Sequence, residues 1–252
     1  MVFRNGALFL FKAFGIRVFV DWTWFLVAAF FVQQMNDLFD NSWWALVTYL
    51  GFFGIVLLHE YGHALACKSV GGRAKRIMLW PLGGIAYVNP PPRPGAVLWC
   101  IVAGPLVNVI LIPVSIVAYL AVVGVSQDGP LTDLQTTVAM LTVINLTVLA
   151  FNLLPIYPLD GGRILESILW FFIGRAKALH IASVTGMVFG ILGGLAALLG
   201  GIGNIWLIVI AVFVVMQAYN GYRVAQQMIA DEKMLNPWQR RKPGQRVIRR
   251  QA

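Results

Sequence analysis

A chain of 252 residues with 59% apolar and only 12% charged side chains, and a mean hydropathy of +0.77, has the composition of a membrane protein. An ordinary soluble domain carries about twice that share of charge. Apolar stretches long enough to cross a bilayer are expected at about 20–34, 43–66, 96–123, 134–154, 179–200 and 204–224, and nothing between them is long enough for a soluble catalytic domain.

Residues 7–20 are too short and too interrupted to span. Their aromatic and β-branched content, with Gly15 as a turn, predicts strands at the membrane interface. Asp21 then opens the first span as a helix cap, and a catalytic role for it is the less favoured reading. Trp43 and Trp44 start the second span as an interfacial anchor.

That second span carries His59-Glu60-Tyr61-Gly62-His63. Histidines four residues apart stack on one helix face and can share a metal ion. Glu60 borders that face and can take a proton from an activated water. With three His and three Glu in the chain, a chance HExxH is rare, and two histidines merely packing a helix is the lesser reading. Ionisable groups in lipid are costly and mark function. From Trp43 to His59 is 16 residues, about 24 Å of helix against a hydrocarbon core of about 30 Å. The motif therefore belongs inside the membrane, nearer the cytoplasm. Gly62 lets another backbone approach.

The loop 67–95 predicts two short strands, within 77–88, around Pro81-Leu82-Gly83-Gly84, closed by the breaker Asn89-Pro90-Pro91-Pro92. Backbone of this kind at membrane depth needs protein or a wet cavity beside it. Gly83, Gly84, Ile85 and Tyr87 are candidate substrate-binding residues, accepting an extended peptide by strand addition; a plain interfacial hairpin is the competing reading.

In the third span, Pro105 interrupts the helix ladder and Asn108 is a polar group that needs a partner, either another helix or substrate. The fourth span ends in Asn152-Leu153-Leu154-Pro155-Ile156-Tyr157-Pro158-Leu159-Asp160-Gly161-Gly162, where prolines and glycines unwind the helix around Asp160. A further helix is expected at about 162–174. Gly186, Gly190 and Gly194 in the fifth span predict close helix packing. From Asp231 the chain turns polar, basic and proline-broken, as in a flexible arm on the membrane surface, so residues 1–230 and 231–252 are taken as domain and tail.

The net charge of +9 invites a nucleic-acid partner, but its placement points to topology instead. The connections 35–42, 124–133 and 201–203 hold no Lys or Arg, so all 19 basic residues fall on one side of six spans. The positive-inside bias then puts both termini in the cytoplasm, with anionic lipid as a contact and no nucleic acid. Cys67 and Cys100 lie near cytoplasmic helix ends, where thiols stay reduced, and are read as packing. The N-terminus has no removable signal peptide pattern.

Catalytic zinc takes three protein ligands and an open position. His59 and His63 supply two; Asp160, Glu166 and His180 are the candidates for the third, with Asp160 favoured by its place in the unwound segment. Asn108 or Asn152 would donate to the negative intermediate of peptide cleavage.

These motifs, with Gly104-Pro105-Leu106-Val107-Asn108 between them and Leu159-Asp160-Gly161 at the end, resemble the site-2 protease family of intramembrane zinc metalloproteases over residues 15–225 or so. The resemblance implies a polytopic, all-α membrane protein of about six transmembrane helices with a small membrane-associated β-hairpin or sheet on the cytoplasmic side. It implies one Zn2+ per chain on His59, His63 and Asp160, with Glu60 as the catalytic carboxylate assisting attack by water. It further implies cleavage of transmembrane segments of single-span membrane protein substrates, such as anti-sigma factors or membrane-tethered transcription factors, in a prokaryotic cell (inner) membrane. Many relatives carry a PDZ or CBS module; this chain has room for neither, so their control functions are not carried over. The alternatives are an inactive relative, or a metal or solute transporter using the same histidines. Transporters show paired broken helices in related halves, which this sequence lacks.

Overall fold

The computed structural model describes residues 3–4, 6–80, 83–123, 131–199 and 205–239. The chain divides into two compact units, Met1–Leu154 with Leu159–Ile164, and Pro155–Pro158 with Leu165–Ala252.

The first unit opens with three strands, β1 (Phe3–Arg4), β2 (Ala7–Ala13) and β3 (Ile16–Asp21). Gly15, at φ +76°, makes the β2–β3 turn as expected. Helix α1 (Thr23–Met35) runs to helix α2 (Trp43–Ser69), followed by β4 (Arg73–Trp80), β5 (Gly83–Asn89), α3 (Pro94–Val123) and α4 (Asp133–Leu153). The two strands predicted within 77–88 are the facing parts of β4 and β5; Pro81 and Leu82 between them lie outside the described residues.

The strands form one sheet in the order β1-β2-β3-β4-β5, antiparallel except for the β3–β4 pair, which is parallel. Alternation along β3 and β4 turns Ile16, Val18, Val20, Ile77 and Leu79 to one face, where they pack on Tyr61 and Ala64 of α2. The sheet is thus bolted to the helical turn that carries the HExxH motif. Because β4 follows the Ser69 end of α2, its pairing with β3 holds the N-terminal strands at that same end.

Among the described residues, five helices are long and apolar enough to cross a membrane: α2, α3, α4 and two in the second unit. The chain is a multi-pass membrane protein. The first expected span, 20–34, is the exception in length. Its opening residues are spent in β3, leaving α1 with 13 residues, about 20 Å of helix. Asp21 accepts from the backbone N–H and the hydroxyl of Thr23 at the entry to α1, which is the capping role read from the sequence. At the opposite end of α2, Met35, Phe39 and Ala45 form a small apolar cluster. There the Asp133 carboxylate, at the capped start of α4, accepts from the backbone of Asp40 and Asn41.

Helix α2 meets α3 through Gly62, whose absent side chain would lie 2.5 Å from the Ala103 carbonyl oxygen. Gly62 thus allows the close backbone approach its place in the motif predicted. Pro105 and Pro113 lie inside α3. After α4 the chain leaves the helix over residues 154–159 and re-enters one at α5 (Asp160–Ile173), so Asp160 is the first helical residue after the break. The expected helix at 162–174 is this α5. Gly161 lets its first turn close on α4, since a Cβ there would strike the Leu153 and Leu154 carbonyl oxygens.

In the second unit, α6 (Arg175–Leu199) and α7 (Ile205–Gln239) pack together. Gly186 faces Ala218, Gly190 faces Val215 and Gly194 faces Ala211, so the four-residue glycine spacing serves tight helix contact as predicted. The structure corrects the sequence at the end of α7. The helix does not stop near residue 224, the expected end of the last span, and residues 231–239 of the expected tail are helical. Helix-forming residues from Ala225 through Leu235 carry it on to Gln239. Residues 240–252 of the expected tail, and the connections 124–130 and 200–204, lie outside the described residues.

Candidate metal centre

The motif turn of α2 places His59, Glu60 and His63 at 4%, 6% and 9% exposure, and the first turn of α5 brings Asp160, 8% exposed, to the same point. His59 Nε2 stands 3.1 Å from His63 Nε2; Asp160 Oδ2 lies 3.0 Å from the first and 3.2 Å from the second. The two rings are nearly perpendicular, so their Nε2 atoms converge.

Hydrogen-bond bookkeeping fixes what these atoms carry. His63 Nδ1 is 2.9 Å from the Cys100 carbonyl oxygen, an acceptor only, so the proton of the neutral ring sits on Nδ1. His59 Nδ1 is 2.6 Å from Asn108 Oδ1, which likewise asks for Nδ1–H. With both rings neutral, two Nε2 lone pairs and a carboxylate oxygen then face one another in a buried space. Such a set is repulsive unless a cation sits at its centre. For tetrahedral coordination with bonds of about 2.0–2.2 Å, the ligand atoms should lie about 3.3–3.6 Å apart, a few tenths of an ångström wider than the separations seen. Among the described residues, His59, His63 and Asp160 are the one group of three that could hold a metal ion. Of the rivals for third ligand, His180 lies in the second unit, 3.4 Å from Gln226 Nε2 and beside the Tyr222 ring, and Glu166 is not in the cluster.

Two glycines shape the space around these groups. A Cβ on Gly104 of α3 would strike His63 Cε1 and Nε2 and lie 2.9 Å from His59 Nε2, so the ligand rings rest directly on that backbone. A Cβ on Gly84 of β5 would overlap Glu60 Cγ and lie 2.7 Å from its Cδ and Oε1. The backbone N–H of Ala86 interacts with the same carboxylate, so β5 backs Glu60 on the side away from α2.

The chain is similar to known proteins. Residues 47–193 match peptidase family M50. The chain belongs to peptidase family M50. A zinc metalloprotease of Methanocaldococcus jannaschii is 35% identical over 225 residues, covering 88% of this chain and 62% of that protein. Stage IV sporulation protein FB of Bacillus subtilis is 40% identical over 116 residues, 44% of this chain and 36% of that one. The solved structure of the site-2 protease from Methanocaldococcus jannaschii superposes with a TM-score of 0.59 at 29% identity, covering 86% of this chain and 95% of that chain. The chain spans about 62% of the length of the curated relatives it matches over most of its own length. As an M50 family chain, it carries its family fold in the site-2 protease form.

The substrate-binding candidates divide. Gly83, Gly84, Ile85 and Tyr87 all lie on β5, an edge strand; Ile85 and Tyr87 are exposed, and Tyr87 carries the Arg76 guanidinium 4.0 Å over its ring. Asn152 is half-buried in the last turn of α4. Asn108 does not face substrate: it is fully buried, and its amide is spent on His59 and on Asn145 of α4. Of the two partners read from the sequence, the structure gives Asn108 the neighbouring helix, and its place among the substrate-binding candidates is corrected. The sequence reading missed Asn145, the Cys100 carbonyl, Gly104 and Ala86. Of these, Asn145 left a signal as a second amide in an apolar span, and Gly104 stood in the motif ending at Asn108 without a role. Cys67 and Cys100 are free and buried.

Proposed function

We propose that this M50 chain is a zinc-dependent intramembrane endopeptidase that cuts the transmembrane segments of single-span, membrane-tethered proteins. Anti-sigma factors and membrane-tethered transcription factors are the substrate classes implied by its family resemblance. The observation that carries the reading is a buried carboxylate, Glu60, beside a converging His59–His63–Asp160 set on apolar helices. Relatives of this chain are named zinc metalloproteases, and zinc suits two imidazoles and a carboxylate; held there, it would supply Lewis acidity to a water and to a peptide carbonyl.

The chain's own residues supply the rest. Asn108 and the Cys100 carbonyl hold the imidazoles with Nε2 inward. Glu60, braced by Gly84 and Ala86, accepts a proton from water and returns it to the departing amine. β5 presents a free edge beside Glu60, and a substrate unwound from its helix adds there as a further strand, satisfying backbone groups that lipid leaves unpaired. Gly83, Gly84, Ile85 and Tyr87 line that edge, and Asn152 is a candidate donor to the developing oxyanion.

The sheet end of α2 faces the cytoplasm in this reading, with both termini on that side of a prokaryotic cell membrane. Lys12, Arg17, Arg73 and Arg76 cluster on that sheet and suit anionic headgroups. The test is cleavage of a purified single-span substrate in detergent by wild type and Glu60→Gln. Loss of cleavage in the variant supports the assignment, and equal cleavage by both removes it.

A further inference from the structure

Asn145 makes no hydrogen bond to His59, His63 or Asp160, yet the hydrogen bonds leading from it decide which nitrogen of His59 is free. Asn145 Nδ2 donates to the backbone carbonyl oxygen of Asn108, 3.0 Å away. A backbone carbonyl only accepts, so the orientation of the Asn145 amide is settled without reference to any other side chain. Its Oδ1 must then face Asn108, where it accepts from Asn108 Nδ2 at 2.7 Å. That contact fixes the Asn108 amide in turn, and Asn108 Oδ1 is left pointing at His59 Nδ1, 2.6 Å away. Exposures of 1%, 0% and 4% along Asn145, Asn108 and His59 leave no water to substitute.

We infer that Asn145 is a positioning residue that locks the Asn108 amide against a flip and thereby keeps His59 in its Nδ1–H tautomer. Were the amide reversed, Asn108 Nδ2 would donate to His59 Nδ1. The ring proton would move to Nε2, the atom that faces His63 and Asp160, and His59 could no longer offer that lone pair to a cation. Three hydrogen bonds thus carry information from α4 through α3 to the motif on α2, and the device works at the level of donor and acceptor identity, separate from packing. The inference rests on the proposed metal site only for its consequence; the tautomer itself is a property of the chain.

The chain has three histidines, so the full-length protein labelled with 15N-histidine gives three resolvable rings by nitrogen NMR. In metal-free wild type, at a pH where the ring is neutral, His59 should show Nδ1 protonated and Nε2 bare. A wild-type His59 protonated at Nε2 overturns the inference without any variant. In Asn145→Leu, or Asn145→Ala if the leucine variant does not fold, the His59 signals should move toward the Nε2–H form while those of His63 stay. Zinc affinity, read by chelator competition, should fall about 10–100-fold, as for loss of other partners of a metal-ligating histidine. Adding Asn108→Asp to the Asn145 variant offers His59 acceptors in every orientation, and should restore both the tautomer and the affinity. Failure of that second change to restore them marks Asn145 as a packing residue and refutes the inference, as does an Asn145 variant with unchanged tautomer. If wild type binds no zinc while the tautomer result holds, the metal reading fails and the lock stands.

Discussion

Replacing Gly84 by alanine should disable Glu60 while leaving the metal ligands untouched. The added Cβ would overlap Glu60 Cγ and sit 2.7 Å from both Cδ and Oε1. Carbon atoms rest about 3.5–4.0 Å apart, so the carboxylate has to retreat by about 1 Å or β5 has to shift by as much. Misplacing a reacting group by that distance costs about 100-fold in rate, equivalent to about 2.7 kcal/mol of transition-state stabilisation. None of the three nearest atoms to that Cβ belongs to His59, His63 or Asp160. Steady-state cleavage of a single-span substrate, measured beside zinc stoichiometry on the same preparation, separates the two outcomes. The expected result is turnover lowered about 100-fold with full zinc content. Turnover like that of wild type, or zinc lost in step with activity, refutes the placement of Glu60 against β5.

Gly104→Ala should do the reverse, because its Cβ falls on the His63 ring and 2.9 Å from His59 Nε2; zinc content should drop before any loss of helicity by circular dichroism. Gly62→Ala pushes a methyl to 2.5 Å from the Ala103 carbonyl oxygen and should separate α2 from α3. Overpacking of that kind costs about 1–3 kcal/mol, read as a lower unfolding temperature in detergent. Proline at Ile85 or Tyr87 should slow cleavage with zinc still bound if substrate pairs with β5; unchanged turnover in both variants removes strand addition.

The motif on α2 was legible because its information is local. Two histidines at i and i+4 share a helix face wherever the helix goes, and apolar flanks place that helix in a membrane. Asp160 was legible for a related reason: Pro155, Pro158 and Gly161 break a helix by themselves and leave a carboxylate at the break. Pairing between distant segments was not. Strands at 7–20 and 77–88 could be read from composition, but the parallel contact of β3 with β4 depends on α2 carrying one strand back beside the other. That same sheet takes the residues that would have lengthened α1.

Asn108 illustrates the remaining limit. A lone amide in an apolar span announces that it needs a partner, without saying whether the partner is substrate, helix or ligand. The answer depended on Asn145, 37 residues away on another helix. The extent of α7 was misjudged for a simpler reason: polarity marks where a helix leaves lipid, whereas helix propensity continues past that point.

The central claim is that two imidazoles and the carboxylate of Asp160 hold one metal ion. Zinc per chain, measured by elemental analysis of the purified protein and of Asp160→Ala, Glu166→Gln and His180→Ala, tests it most directly. One zinc per chain is expected in wild type and in the last two variants, with most of it lost from Asp160→Ala. Full zinc in Asp160→Ala, or its loss from His180→Ala instead, contradicts the account.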